Sequence, residues 1–171
     1  ADFYFTPDLQ IYRVEQRKGV FRLHCAPLDL TQTRFLHLRE SRAELDPGLL
    51  LDRYYSNKTM GCSWDEDSTT FRLFSPRARR VTLTLYPAPE AEAGAGHELS
   101  RDQDGVWELT LPGHYFGQAY TYQVDGPAGA TEQFDYSKPI CDPYARAVVT
   151  ANEYLHRGRT LILDSGRYDW E

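Results

Sequence analysis

The sequence predicts an all-β fold, an antiparallel sandwich, and three observations predict it. Apolar and polar residues alternate with period two through several short runs. Proline or glycine punctuates those runs at close spacing. No stretch carries the apolar spacing of an amphipathic helix three turns long.

Taken in order, residues 1–55 read as a short β-rich N-terminal segment or the end of a preceding domain. Phe3, Tyr4 and Phe5 are strand-like. Gly19 opens a run in which Phe21, Leu23 and Cys25 alternate with Arg22 and His24, and Pro27 stops it. Leu36 and Leu38 alternate with Phe35, His37 and Arg39 before Pro47-Gly48. His24 and His37 fall opposite the leucines, so exposed strand positions are expected rather than ligands. So short a segment buries too little surface to be comfortable alone. Leu49, Leu50, Leu51, Tyr54 and Tyr55 are expected to glue it to the neighbouring sandwich.

Residues 56–165 carry the regular pattern. Phe71 and Leu73 alternate with Thr70, Arg72 and Phe74 until Pro76. Val81, Leu83 and Leu85 alternate with Thr82, Thr84 and Tyr86 until Pro87, and an Ala/Glu/Gly loop over 88–96 comes next. The clearest stretch is 104–126, which reads as a hairpin. There Trp107, Leu109 and Leu111 oppose Glu108 and Thr110, Pro112-Gly113 makes the turn, and Tyr120, Tyr122 and Val124 oppose Thr121, Gln123 and Asp125. A long polar loop over 126–139 includes Phe134 and Tyr136, and a last strand is expected over 160–164.

At 171 residues, 41% hydrophobic and 13% aromatic, the chain suits one domain plus an appendage, or two small domains, with a real core. A net charge of −6 argues against a nucleic-acid partner, and Arg77, Arg79 and Arg80 read as a solvated turn. No apolar run approaches the roughly 18 residues of a membrane helix, so no membrane partner is expected. No signal peptide is visible. Ala1 is not a natural start, and a sequence that begins inside a strand reads as a fragment. Cys25, Cys62 and Cys141 are three, widely spaced and without a C-x-x-C pair, so neither a zinc site nor a disulfide framework is expected. Cys25 is expected to be a buried thiol, and free thiols lean towards a cytoplasmic setting.

No motif for a nucleophile, a phosphate loop or a metal helix occurs, so the expectation is no catalytic residue, no metal and no cofactor. The acids Asp65, Glu66, Asp67, Asp102 and Asp104 read as turn residues bonding their own backbone rather than as a pair poised for sugar hydrolysis. Aromatic residues are the remaining candidates. Trp107, Tyr120 and Tyr122 are in phase with the core. Trp64, Phe74 and Tyr86 fall out of phase and are candidates for a sugar platform or for a contact with another domain.

Several motifs then converge on one family. Met60-Gly61-Cys62-Ser63-Trp64 and the run Thr69-Thr70-Phe71-Arg72-Leu73-Phe74-Ser75-Pro76 resemble the "L-G-A-T-Y … T-T-F-R-V-W-A-P" opening of the module ahead of the catalytic barrel in pullulanases and isoamylases. Residues 104–107 resemble its "D-G-V-W", residues 120–127 its "Y-x-Y-R-V-x-G-P", and residues 142–147 its "D-P-Y-A-K/R-A". Tyr168-Asp169-Trp170 resembles the "F-D-W" before the first barrel strand. Residues 1–55 resemble, more loosely, a short β-domain that precedes the module in some pullulanases.

The resemblance, over residues 57–171, is to family 48 carbohydrate-binding modules of family 13 α-glucan hydrolases, and it implies an immunoglobulin-like sandwich. It implies as partner the catalytic (β/α)8 barrel of the same polypeptide, reached through a linker starting at 166–171. Ala128 and Thr121 stand where sugar-binding members carry Trp and Lys, and no Trp lies within 87–96, which implies weak or no α-glucan binding. Phe74 and Tyr144 are the groups expected to face the barrel. The reading is a non-catalytic region of an α-1,6-glucan debranching enzyme. An autonomous starch- or glycogen-binding module is the alternative, and an enzyme in its own right stands third.

Overall fold

The computed structural model describes residues 2–129, 132–150 and 158–164. Their alternating runs become two antiparallel sheets packed face to face. One sheet contains β6 (Gly61–Trp64), β7 (Ser68–Phe74), β10 (Ser100–Arg101) and β11 (Val106–Pro112), in the order β10-β11-β7-β6. The other contains β8 (Arg80–Tyr86), β9 (Ala95–Glu98), β12 (Ala119–Asp125), β13 (Val148–Val149) and β14 (Arg159–Leu161), in the order β13-β14-β12-β8-β9. Phe71 and Leu73 of β7 and Trp107 of β11 meet Val81, Leu83, Leu85, Tyr120 and Tyr122 from the opposite layer in a single buried cluster. The Phe71 and Tyr120 rings touch edge-on across the gap, centroids 5.0 Å apart. This is the expected immunoglobulin-like β-sandwich, with the β-branched and aromatic residues that fit a pleated, half-buried surface.

The expected hairpin over 104–126 does not form. β11 pairs with β7, Trp107 opposite Leu73, whereas β12 pairs with β8, Tyr120 opposite Leu85. The intervening residues cross from one layer to the other, tied by Gly113 N–H to Asp67 O (2.7 Å) and Gly117 N–H to Ile162 O (2.9 Å). Two successive strands with one apolar face each can pair edge to edge or face each other across a core, and period two is the same in both. Part of the expected loop over 88–96 is also ordered: β9 pairs back on β8, with Ala95 opposite Leu85. The last strand among the described residues is Arg159–Leu161, followed by the buried Ile162.

The N-terminal segment makes two small sheets. β1 (Phe3–Thr6), β4 (Phe35–Leu38) and β5 (Ser41–Glu44) form one in the order β1-β4-β5. β2 (Ile11–Arg17) and β3 (Val20–Cys25) form a separate ribbon. Phe3 meets Phe21 edge-on at 5.0 Å, so the inner face of the three-stranded sheet turns towards the ribbon. Cys25 is half-buried rather than buried. The expected glue is only partly used: Leu49 in the single-turn helix α1 (Gly48–Leu51) is 86% exposed and Tyr55 72%. Polar contacts join the segment to the sandwich instead. Thr33 Oγ1 donates to Ala128 O (2.6 Å), and Arg77 Nε donates to Leu30 O (3.2 Å).

The arginines at 77, 79 and 80 are therefore not a freely solvated turn. Arg77 also pairs with Glu132 at 2.6 Å, Arg79 with Asp125 at 3.0 Å, and the Arg80 guanidinium lies 3.9 Å from the Tyr136 ring centroid. Two of the acids, Asp65 and Asp102, behave as the sequence predicts. Asp65 Oδ1 accepts the N–H groups of Asp67 and Ser68, and Asp102 Oδ1 those of Asp104 and Val106.

Tyr120 and Tyr122 sit side by side in the core with different polar fates. The Tyr120 hydroxyl donates to Asp142, while the Tyr122 hydroxyl is buried with no hydrogen-bond partner among the described residues. An unsatisfied buried hydroxyl carries its desolvation cost without return. Tyr122→Phe is therefore expected to raise stability by about 1 kcal/mol, and Tyr120→Phe to lower it by about 1–3 kcal/mol. Urea unfolding of both variants checks the opposite signs.

Candidate functional site

The site begins with a glycine. Gly61 opens β6 with φ +84°, and a Cβ there would lie 3.1 Å from Tyr144 Cβ and 3.2 Å from Tyr144 O. Only a bare Cα lets the turn at Asp142-Pro143-Tyr144 lie against the strand. Asp142 then fastens that turn to the other layer. Its Oδ2 accepts the Tyr120 hydroxyl (2.6 Å), its Oδ1 accepts the Tyr144 N–H (2.8 Å), and its own N–H donates to Thr160 Oγ1 on β14 (2.8 Å). The residue is 4% exposed. Two widely separated motifs of the sequence thus meet at one end of the sandwich.

Burial governs the acid–base character here. It pushes the Asp142 carboxyl above its ordinary value, against the opposing effect of the Tyr120 hydroxyl and the Tyr144 N–H. Burial, helped by the nearby Asp142 charge, pushes the Cys62 thiol up to about 12 and the Tyr120 phenol far higher than a free tyrosine. A thiol in that state is protonated at neutral pH and a poor nucleophile. Asp142 is committed to structural hydrogen bonds. Among the described residues no group of three or more His, Cys, Asp or Glu is placed to hold a metal ion.

Pro143 also lines an open cleft of about 770 Å³, walled by Leu73, Phe74, Val124, Phe134 and Ile140. Phe134 reaches it because Gly126 has no side chain; a Cβ there would lie 2.5 Å from the Phe134 ring. Ile140 and Tyr144 are 43% and 45% exposed. Glu132, Asp135 and Lys138 supply the polar rim.

The four aromatic residues singled out in the sequence are distributed over this module. Phe74, half-buried at the end of β7, lines that cleft with Pro143, whereas the exposed Tyr144 lies beside Gly61. Trp64 is not out of phase: it pairs with the buried Thr69, two residues along from Cys62, and so faces the core side at the edge of its sheet. A four-residue strand opened by a left-handed glycine cannot be phased from its neighbours. Trp64 packs edge-on against Phe116 at 5.2 Å, with the Arg146 guanidinium 5.8 Å from its ring. Tyr86 is on the outer face of the other sheet, and the Arg159 guanidinium covers its ring at 3.6 Å. Phe134, Ile140 and the Tyr120–Asp142 bond were not picked out from the sequence. The Asp-Pro pair was a turn signal that could have drawn attention to Asp142, but nothing local marked the other residues.

Two antiparallel sheets stapled across one end by a buried aspartate define a β-sandwich module of the immunoglobulin-like class. Residues 59–145, just over half of the chain, match the family model of carbohydrate-binding module 48 (isoamylase N-terminal domain), and the chain belongs to that family. A relative is the glycogen debranching enzyme of Erwinia tasmaniensis, 33% identical over 65% of this chain and 19% of that enzyme. Among solved structures, the pullulanase of Bacillus acidopullulyticus superposes with a TM-score of 0.66 at 27% identity, over 85% of this chain and 18% of that one. The pullulanase of Paenibacillus barengoltzii in complex with maltohexaose and α-cyclodextrin gives 0.53 at 30% identity, over 67% and 16%. The chain spans about a fifth of the length of the curated relatives it matches.

The raised Asp142 carboxyl predicts a pH dependence. The folded state holds this proton to higher pH than the unfolded chain, whose carboxyl keeps its ordinary value near 3.8. The stability it contributes is therefore fully present below that value and is lost as pH rises through the folded one. Asp142→Asn does not titrate, so the stability of the native chain relative to this variant is expected to fall between about pH 4 and pH 7. Urea unfolding at both pH values checks it, and a difference that grew with pH would contradict it.

Proposed function

We propose that this chain is the non-catalytic β-sandwich region of an α-1,6-glucan debranching hydrolase of the pullulanase or isoamylase type, and that it packs on the catalytic barrel of the same polypeptide. Residues 1–55 form an N-terminal β-rich segment in this reading, residues 56–165 the sandwich, and residues 166–171, outside the described residues, the start of the linker. The family membership and the much longer debranching relatives support the parentage. The single observation that carries the packing role is the open cleft walled by Phe74, Pro143 and the exposed Ile140, with the 45% exposed Tyr144 next to Pro143 in the chain. A patch of this kind usually marks a contact surface. Trp64 packs edge-on with Phe116 and the Tyr86 ring is covered by Arg159, which supports a packing role over strong sugar stacking on the sandwich itself.

In the polypeptide that carries the barrel, Phe74→Ser with Tyr144→Ser is expected to split a shared thermal transition into two. Scanning calorimetry reads this, and an unchanged single transition would refute the packing role. Titration calorimetry with branched maltooligosaccharides is expected to give millimolar or no binding to this chain. Micromolar binding would favour an autonomous glycan-binding module, and release of reducing sugar from pullulan by the purified chain alone would overturn both readings.

A further inference from the structure

We propose that the outer face of the β2–β3 ribbon, built on Arg17, Lys18, Val20 and Arg22, is a peripheral contact for an anionic lipid surface. The register opposes Arg17 to Val20, Glu15 to Arg22 and Arg13 to His24. Opposed and alternate residues share one side of a ribbon, so these six form one face. Phe21, on the other side, meets Phe3, and the basic face is therefore turned away from the three-stranded sheet. Residues 11–25 carry three arginines and one lysine against Glu15 alone, a charge of +3 in a chain of −6. The ribbon is a cationic arm on an otherwise acidic molecule.

Three of those cations are uncommitted. Arg13 pairs with Glu15 at 2.6 Å, and His24 Nε2 lies 3.4 Å from the same carboxylate. Arg17, Lys18 and Arg22 are exposed and make no side-chain hydrogen bond, ion pair or ring contact among the described residues. The sandwich uses its arginines differently: Arg72, Arg77 and Arg79 hold carboxylates, and Arg80 and Arg159 cover rings. Lys18 is also at odds with its turn. It has φ +50° and Gly19 has φ +81°, in a two-residue connection between the paired Arg17 and Val20. Such a turn favours Asn before Gly, and lysine occupies the left-handed region at a cost. Turn geometry therefore does not account for a cation at the tip.

Shape and chemistry together select the occupant. Two strands of seven and six residues present a face of roughly 200 Å². That is well short of the roughly 800 Å² a side of a standard protein interface. A small anion would need a concave site, and the cleft that the ribbon borders is reached through Phe21 of its other side. A nucleic-acid backbone would use the cations but not Val20, which is 69% exposed opposite Arg17. An anionic bilayer uses both: headgroup phosphates meet the guanidinium and ammonium groups, and Val20 reaches the apolar layer beneath them. Tyr12, 62% exposed on the same ribbon, suits the interfacial depth at which tyrosine is enriched. The acidic remainder of the chain is repelled by the same surface, so the molecule meets it ribbon first. No described helix is long and apolar enough to cross a membrane, and the contact is peripheral.

The test is co-sedimentation of the whole 171-residue chain with vesicles of phosphatidylglycerol and phosphatidylcholine in equal parts. Binding is expected at about 50 mM salt and is expected to be lost at about 500 mM, where exposed charges are screened within a few ångströms. Vesicles of phosphatidylcholine alone are expected to bind none of the chain. Arg17→Gln with Arg22→Gln is expected to weaken binding about 25-fold, roughly fivefold per cation. Lys18→Asn is expected to weaken it about fivefold while leaving the urea midpoint unchanged or raised, because Asn suits the turn. Val20→Ser is expected to weaken it as well. Undiminished binding by the double arginine variant, equal binding to phosphatidylcholine, or no binding to the mixed vesicles at low salt would overturn the proposal. Competition by soluble polyphosphate with Val20→Ser binding as the native chain does would make the face a general polyanion site and overturn the lipid contact. None of these outcomes bears on packing against a barrel, which the thermal transition tests separately.

Discussion

Tyr120 is the residue on which the module closes. Its ring fills the gap between the layers, edge-on to Phe71 at 5.0 Å and to Tyr122 at 5.5 Å. A tyrosine buried to that depth brings a hydroxyl that must find a partner, and the partner is Asp142, at 2.6 Å. Asp142 is in turn buried, so it stays in place only because Tyr120, Tyr144 and Thr160 satisfy it from three sides. One hydrogen bond thereby connects the hydrophobic core to the turn that shapes the end of the sandwich. Gly61 makes the geometry possible by leaving space for that turn.

The surface is a consequence of that closure. Once the turn lies on β6, Pro143 joins Phe74 and Phe134 in lining the cleft, and the exposed Tyr144 follows it in the chain. Two other aromatic rings are covered. Arg159 covers Tyr86, and Arg80 covers Tyr136, whose hydroxyl lies 2.8 Å from Thr82 Oγ1. Arg77 reaches both Glu132 and the carbonyl of Leu30, so the N-terminal sheets are held to the sandwich by a cation with its partners on both sides. That contact is shielded enough to be worth more than an exposed surface pair.

Much of this architecture is readable in the chain. The inward sets of β7, β8, β11 and β12 are the residues that alternation picks out, because burial on one face of a pleated strand imposes period two directly on sequence. The acids at 65 and 102 are readable as turns, since an aspartate that bonds its own backbone acts over two to four residues. The hairpin fails for the converse reason. Whether β11 meets β12 beside it or across the core depends on β7 and β8, which lie more than 20 residues earlier in the chain. Trp64 is misplaced because its phase is reset at Gly61, and the arginines because their partners at 30, 125, 132 and 136 are remote.

By itself the sequence determined the all-β class, the positions of most core strands, the turn acids and, through its motifs, the family. Those properties are written in local spacing and in residue chemistry. Only the tertiary structure decided which strands share a sheet, that Asp142 staples the layers through Tyr120, and that Phe74 and Pro143 line one cleft while Tyr86 is capped. These are distances between residues far apart in the chain, set by how two layers close on one core, and no run of neighbouring residues encodes them.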